Sequence, residues 1–592
     1  MNTTKLLLIL TTIITLTSCK EEKEILISET YAEAVDPKPK PQGPWETTTS
    51  GLHASLVSPY IRFQRNSCPT PELENNWTGK AWRGERISAQ MVFWSTDSIT
   101  PVTTEFSDFI SEDGNVIPAS VAKLRFEKYV ITDEFAGGCG YRKPKDFDSL
   151  LVADALENVS SYKIKAKETR PLWISIDVPK NAKPGNYKST LRIATEHQDA
   201  KSFTFNLKIL PATLPAPTDW KFHLDLWQNP YAVARYHHVE PWSEAHWNLL
   251  KPLMKMLAKA GQKVITTSIN KRPWGGQTFD AFDSMIVWKK GADGTWTYDY
   301  SIFDQWVQFM MDLGVNKQIS CYSMVPWGNE FYYFDETENK EVKIAVKPGS
   351  DDYAALWVPF LKDFAAHLKQ KGWADITRIA MDERAPEEMQ ALLQLLKENE
   401  ANFGVSLADN HKSYKLYPNQ LKDLSVACGA TIDPEDLKYR KEQGYVSTYY
   451  VCCSDKFPNI FTFSPPAEGV YLGWYATAAG FDGVLRWAYN SWVENPLIDS
   501  RFRAWPAGDT YVVYPGARSS VRFETLRDGI EDAEKIRVLR ETLSQQHSDK
   551  ALKELNDLVE TFNTVEAPND LNSKILNGQS ILNRLAEKHI TN

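Results

Sequence analysis

Beyond about residue 218 the chain alternates strand patterns with helix patterns eight times, and this alternation constrains the fold more than any other feature. Short apolar or β-branched runs lie at Lys221–Trp227, Lys263–Ser268, Gln318–Ser323, Asp375–Met381, Gly404–Ala408, Leu424–Cys428, Tyr445–Cys452 and Gly483–Ala488. Helical spacing fills Ser243–Ala260, Ser301–Leu313, Asp352–Lys371, Pro386–Asn402, Pro434–Gln443 and Ala467–Ala479, with a weak pattern near Leu416–Leu421 and a long charged one over Val521–Leu543. Gly261, Gly314, Gly372, Gly444 and Gly480 stand where C-cap glycines close five of these helices. Eight strand–helix repeats predict a (β/α)8 barrel over residues 218–546, followed by a helical tail over 547–592.

The region before the barrel has a different period. From about 49 to 210 short runs alternate apolar and polar residues, as in Ser88–Trp94, Leu172–Val178 and Ser202–Ile209, with turn clusters such as Pro179–Asn186 between them. No long helical pattern intervenes, so this part reads as a β-sandwich. Pro211–Pro217 reads as the linker between the two domains. The expected class is therefore multidomain: an N-terminal β-sandwich, a TIM-type barrel and C-terminal helices.

The first residues read as a targeting segment. Lys5 precedes the apolar run Leu6–Leu16, which is too short to span a membrane. Leu16-Thr17-Ser18-Cys19 resembles a bacterial lipobox, which implies that Cys19 becomes the lipidated first residue and that the protein is anchored by lipid to the cell envelope, at the outer-membrane surface or its periplasmic face. The acidic run after Cys19 resembles a surface-export signal of such lipoproteins. Residues 20–48, with Pro37-Lys-Pro-Lys-Pro41, read as a stiff tether. The remaining cysteines have no CxxC pair and no metal spacing. Pairing of Cys68 with Cys139 stays open, and vicinal Cys452-Cys453 read as strand-end packing. A net charge of −9 argues against a nucleic-acid surface.

In an α/β barrel, chemistry belongs at the C-terminal ends of the strands. The fourth strand runs into Met381-Asp382-Glu383-Arg384-Ala385-Pro386, where Pro386 suits the first helical turn and Glu387 and Glu388 suit its positive end. Asp382 and Glu383 are the expected catalytic pair. Adjacent strand residues point to opposite faces, so both reach one site only if the chain leaves strand geometry between them. Adjacent carboxylates do not match the usual glycosidase pair on separate strands. They match a scheme in which Glu383 protonates the glycosidic oxygen, the substrate's own 2-acetamido oxygen is the nucleophile, and Asp382 holds the acetamido N–H.

The segment Asp382-Glu383 after Ile-Ala-Met resembles the catalytic pair of glycoside hydrolase family 123, the β-N-acetylgalactosaminidases. Gly508-Asp-Thr-Tyr-Val-Val-Tyr-Pro-Gly516 with Ser519–Asp532 resembles that family's C-terminal signature, shared with a broader group, and Ala81–Arg86 and Trp173–Tyr187 resemble its sandwich. The resemblance covers most of the chain. It implies a retaining enzyme that removes terminal β-linked N-acetylgalactosamine with substrate assistance, without metal or cofactor. The alternatives are a same-fold hydrolase acting on another sugar and a non-catalytic glycan-binding lipoprotein.

The other strand ends offer sugar contacts: Trp227 and Asn229 after the first strand, Asn270 and Trp274 after the second, Tyr322 and Trp327 at the third, Asn410 at the fifth, Tyr449 and Tyr450 on the seventh, and Trp487, Tyr489 and Trp492 from the eighth onward. A pocket for a 2-acetamido sugar needs aromatics around the methyl group and a tyrosine hydroxyl on the carbonyl. Tyr449 or Tyr450 is expected in the second role and Trp487 at the floor. Burial in a core is the competing explanation for each tryptophan. His237-His238 with Glu240 fits no standard metal site and reads as a solvated loop, and Arg527-Asp528 with Glu531-Asp532 reads as a structural ion-paired helix face.

Overall fold

The computed structural model of the chain describes residues 31–590 apart from 137, 141, 160 and 400–402. The targeting segment, Cys19 and the first part of the expected tether lie outside the described residues.

The N-terminal domain is a sandwich of a five-stranded and a seven-stranded sheet. Period-two alternation builds its core: Met91, Phe93, Leu172 and Ile174 from one sheet meet Leu191, Phe203, Phe205 and Leu207 from the other. Its last strand, Lys201–Thr213, continues through Pro211, so the chain leaves the sandwich slightly later than the expected boundary at 210.

The tether expected over 20–48 does not extend through its second half. Residues 31–48 lie on the sandwich. Trp45 is buried and donates its Nε1–H to the Asn66 carbonyl at 3.0 Å. Glu33 accepts from both terminal nitrogens of buried Arg170, at 2.6 and 2.8 Å. Burial alone would raise Glu33, but the guanidinium overrides it and holds the carboxyl at about 2. The proline-rich composition gave no sign that a guanidinium inside a sheet needed this counter-ion.

The barrel strands are β1 (His223–Leu226), β2 (Val264–Ser268), β3 (Gln318–Tyr322), β4 (Thr377–Asp382), β5 (Gly404–Asp409), β6 (Leu421–Ala427), β7 (Val446–Tyr450) and β8 (Gly483–Arg486). All are parallel in the order 1-8-7-6-5-4-3-2, and a bridge from Leu224 to Gln262 nearly closes β1 on β2. Ile265, Ile319, Cys321, Ile379, Met381, Val405, Leu407 and Leu424 face the surrounding helices, while the alternate residues face the barrel axis. The expected helices form, with Ser243 and Ser350 capping two of them and Pro386, Pro434 and Pro466 opening three others. The weak fifth helix does not: that connection holds a 3-10 turn, Ser413–Lys415, and β6 already begins at Leu421. Pro418 and the polar run around it cannot supply a packed helical stripe. One further element went unanticipated, a four-stranded sheet of Val287–Lys290, Trp296–Asp299, Glu330–Asp335 and Lys340–Ala345, built from the segments after β2 and β3.

The helix Val521–Gln545 joins the domains. It crosses the helix Pro466–Ala478 at Gly473 and Gly529, where a Cβ on Gly473 would lie 2.1 Å from the Gly529 carbonyl oxygen. Its other side meets the sandwich through charged groups: Glu524 with Arg86 and Arg125, Lys535 with Glu85, and Arg522 with Asp154. Arg527 pairs with Glu531 at 2.9 Å, as expected for a structural face. A disulfide also ties the domains, Cys139 to Cys453. This corrects the reading of Cys453 as strand-end packing, and Cys68 remains a buried free thiol. The bonded cysteines stand 314 residues apart, a distance over which sequence spacing carries no pairing information.

Candidate active site

The uppermost inward-facing layer of the barrel forms an aromatic floor. Trp227, Trp274 and Tyr322 pack with ring centroids 4.7 to 5.0 Å apart. Tyr231, Phe282, Tyr450, Ala380, Ala408 and Leu485 complete this cluster, and Trp487 and Cys452 pack on its edge. The floor is tight: Trp227 is 2% exposed and Tyr322 1%.

Asp382 and Glu383 sit over this floor. Asp382 is the last residue of β4 and faces the axis. Glu383 has φ +49°, a left-handed conformation that is unfavourable for a residue with a side chain. That rotation is the departure from strand geometry that the adjacent pair required. The Glu383 N–H donates to the Ala408 carbonyl of β5 at 2.9 Å, which holds the turn. The Tyr450 hydroxyl, from β7, donates to Glu383 Oε1. Trp327 Nε1–H donates to Asp382 Oδ2 at 3.2 Å. Arg384 lies 4.2 Å over the Trp327 ring and donates Nε–H to the Asp382 carbonyl at 2.7 Å. Burial, and then the Glu383 charge, push Asp382 up to about 6, while Arg384 and the Trp327 N–H oppose the rise.

The remaining expected site residues divide. Trp327, 38% exposed, and Trp487, half-buried, present ring surface at the rim. Trp227, Trp274, Tyr322 and Tyr450 belong to the floor. Asn270 braces the loop after β3, donating to the Ser323 carbonyl at 3.0 Å. Asn229 is buried and caps the helix Pro230–His237. Asn410 is exposed on the loop after β5. Tyr449, Tyr489 and Trp492 face away from the floor, and their expected sugar contacts are corrected here. Tyr449 donates to the Leu472 carbonyl in the helix layer, Tyr489 to the Leu253 carbonyl, and Trp492 to the Val513 carbonyl. Period-two alternation sends Tyr449 outward once Tyr450 points in. Tyr489 and Trp492 lie beyond the end of β8, where no period applies.

Arg384, Asp455, Trp505 and Asp509 were not singled out from the sequence. Asp455 follows β7, accepts from the Cys452 N–H at 2.8 Å and lies close enough to Glu383 to feel its charge. Trp505 meets Trp487 edge-on at 5.9 Å. Asp509 stands within the Gly508–Gly516 segment, so a signal was present without a role attached to it.

The family model for the glycoside hydrolase 123 catalytic domain matches residues 227–539, and that for the glycoside hydrolase 123 N-terminal domain matches 56–195. The chain belongs to glycoside hydrolase family 123. It is a glycosidase by that membership. A solved family 123 glycoside hydrolase from Clostridium perfringens, studied for its hydrolysis of glycolipid glycans, superimposes with a TM-score of 0.82 at 28% identity, over 91% of this chain and 98% of that one. A GH5 xyloglucanase from Bacteroides ovatus aligns over 81% of this chain and 100% of its own at 10% identity, but its TM-score of 0.27 carries no argument. No curated protein matches the chain. The family 123 catalytic match begins at Trp227 and spans every floor residue and both carboxylates.

Trp327 provides a direct check on this family 123 site. Its N–H favours the ionised form of Asp382, so Trp327→Phe removes a lowering influence. The acidic limb of kcat/KM is expected to move toward neutral pH by about half a pH unit. A limb that stays in place or moves down in pH would contradict the assignment.

Proposed function

We propose that this family 123 enzyme is a retaining exo-glycosidase that removes terminal β-linked N-acetylgalactosamine by substrate-assisted catalysis. The observation that carries the reading is the turn at Glu383, which brings two adjacent carboxylates of one strand end to one site above an aromatic floor. One carboxylate alone donates the proton. The other has a separate partner in the sugar, the acetamido N–H.

The chemistry follows from the different partners of the two carboxylates. In the free enzyme, burial and the neighbouring Glu383 charge raise Asp382 to about 6. A bound acetamido group donates its N–H to Asp382 and favours the ionised form there, while Glu383 takes the role of the acid. Tyr450 orients Glu383 from β7, and Trp327 and Arg384 hold Asp382 from the opposite side. Glu383 protonates the glycosidic oxygen as the acetamido carbonyl oxygen attacks C1 from the other face. The C1–O bond breaks and a bicyclic oxazolinium-like intermediate forms, its N–H held by Asp382. The deprotonated Glu383 then takes a proton from water, whose oxygen attacks C1 as the bond from C1 to the acetamido oxygen breaks, which restores the acetamido group and regenerates the β-configuration. The Tyr450 hydroxyl, given to Glu383, orients the acid rather than the acetamido carbonyl.

An N-acetylgalactosamine thiazoline, which imitates the oxazoline, is expected to inhibit competitively and far more tightly than the substrate sugar. Glycosidase turnover that this compound leaves untouched would overturn the mechanism. The glycolipid glycans of the clostridial relative are a natural first substrate class to assay. The lipobox reading adds an envelope-anchored location, and Cys19→Ser is expected to move the protein from the membrane fraction to the soluble fraction.

A further inference from the structure

The two tryptophans with exposed surface at the rim share a feature. Each gives its indole N–H to a carboxylate. For Trp327 the acceptor is Asp382, a member of the reactive pair. For Trp487 it is Asp509, which is fully buried and stands 22 residues away, beyond the end of the last barrel strand. Among the buried tryptophans, Trp306 donates to the Thr266 carbonyl, Trp288 to Ile269 and Trp492 to Val513, while Trp474, away from the pocket, also gives its N–H to a carboxylate, Asp532, at 3.0 Å. A carbonyl satisfies an indole at no electrostatic cost, whereas a buried carboxylate has to be compensated.

The compensation comes from the residue beside Trp487. Arg486 Nη2 contacts Asp509 Oδ1 at 2.9 Å, and Asp509 Oδ2 takes the Trp487 N–H at 3.2 Å. Arg486 Nη1 then donates to Asn459 Oδ1 at 2.7 Å, and Asn459 Nδ2 donates to the carbonyls of Cys452 and Asp455, both at 2.8 Å. One carboxylate therefore fixes two consecutive residues at the end of β8 and, through Arg486 and Asn459, the loop that follows Tyr450. Trp505 meets Trp487 edge-on with ring centroids 5.9 Å apart, its own N–H given to the Gln277 carbonyl at 2.8 Å.

We propose that Asp509 is a positioning residue for sugar binding: it locks the Trp487 indole in the orientation that presents its face to the sugar in the pocket. The assignment rests on the glycosidase site described above. A planar ring held at its N–H and confined by a perpendicular neighbour cannot rotate, so the pocket wall is formed before the sugar arrives. The desolvation of Asp509, which pushes it up to about 6, is the expense of that fixity.

The test is a set of Michaelis parameters on an aryl glycoside that the wild-type enzyme cleaves. Asp509→Asn neutralises the group facing Arg486, and Asp509→Glu keeps the charge but displaces the acceptor oxygen from the indole. Trp487→Phe removes the donor. Each is expected to raise KM about fivefold to tenfold while kcat stays within about threefold. In the Trp487→Phe background, Asp509→Asn is expected to change KM by less than about twofold, because the two substitutions disable one device. A structural role alone would lower thermal stability and the active fraction and leave KM unchanged. Unchanged KM in the Asp509 variants, unchanged KM in Trp487→Phe, or full additivity of the two would each overturn the proposal. Asp509→Glu serves if Asp509→Asn does not fold. If the wild type cleaves aryl glycosides without an acetamido group, or resists the thiazoline, substrate assistance fails, and the KM comparison still decides the role of Asp509 on the substrate that is cleaved.

Discussion

Glu383→Gln is expected to lower kcat/KM on a β-linked N-acetylgalactosaminyl disaccharide by about 10²–10⁴-fold, the usual contribution of a general acid. The substitution is nearly isosteric. The glutamine carbonyl oxygen still accepts from the Tyr450 hydroxyl, and the left-handed turn is retained because the backbone hydrogen bond to Ala408 does not involve the side chain. What disappears is the proton. The loss is therefore expected to depend on the leaving group: large for a sugar alkoxide, which needs protonation, and small for an aryl glycoside with a strongly acidic phenol, which does not. Binding of the thiazoline is expected to survive, since Asp382 still pairs with its ring nitrogen, which carries a proton in the thiazolinium form that imitates the oxazolinium-like intermediate. Comparing kcat/KM across aryl leaving groups of different acidity decides the matter. An equal loss for all leaving groups would remove Glu383 from the acid role, and no loss would remove it from the site.

Much of this site was legible because barrels convert order along the chain into position. Counting strands placed Asp382 and Glu383 fourth, and the rule that chemistry gathers at strand C-termini turned Trp227, Tyr322, Tyr450 and Trp487 into neighbours although up to 260 residues separate them (227 to 487). The same reasoning failed where the periods stop. Tyr449 and Tyr450 differ by one step of a strand, and only the burial of one face decides between them. Tyr489 and Trp492 lie past the strand end, where the chain turns by contacts that no local pattern encodes. The Asp509–Trp487 and Cys139–Cys453 pairs belong to the same class, since each joins loops through the tertiary fold alone. The tether was misread for a related reason. Proline content describes a chain in water, and it says nothing of Arg170, whose buried guanidinium holds Glu33 against the sandwich.

The contact between the domains sets the second large effect. Arg522, 1% exposed, is the cation beneath the C-terminal segment of the barrel. Its Nε contacts Asp154 Oδ2 of the sandwich at 2.8 Å, and its Nη1 donates to the carbonyls of Ile460, Gly508 and Tyr511 at 2.8 to 3.0 Å. Arg522→Ala removes all four contacts. Asp154, itself fully buried, is left with the Tyr514 hydroxyl at 2.7 Å and with Arg62 no nearer than 3.6 Å. A buried charge that loses its main partner costs up to about 3–5 kcal/mol, the longer Arg62 pair offsetting part of it, and three carbonyls lose their donor in addition. Denaturant unfolding followed by tryptophan fluorescence is expected to show that loss, with the sandwich and the barrel no longer unfolding in one transition. The pair itself is not expected to be the source of the stability. Replacing both partners, Arg522→Met with Asp154→Asn, removes the carboxylate charge along with its main counter-ion, keeps an acceptor for the Tyr514 hydroxyl, leaves Arg62 its bonds to the Ala153 and Ser464 carbonyls, and is expected to recover part of the loss. A single substitution costing under about 1 kcal/mol would show that water reaches Asp154. A double variant no better than Arg522→Ala would place the energy in the carbonyl bonds that hold Gly508, and with it Asp509, under the pocket wall.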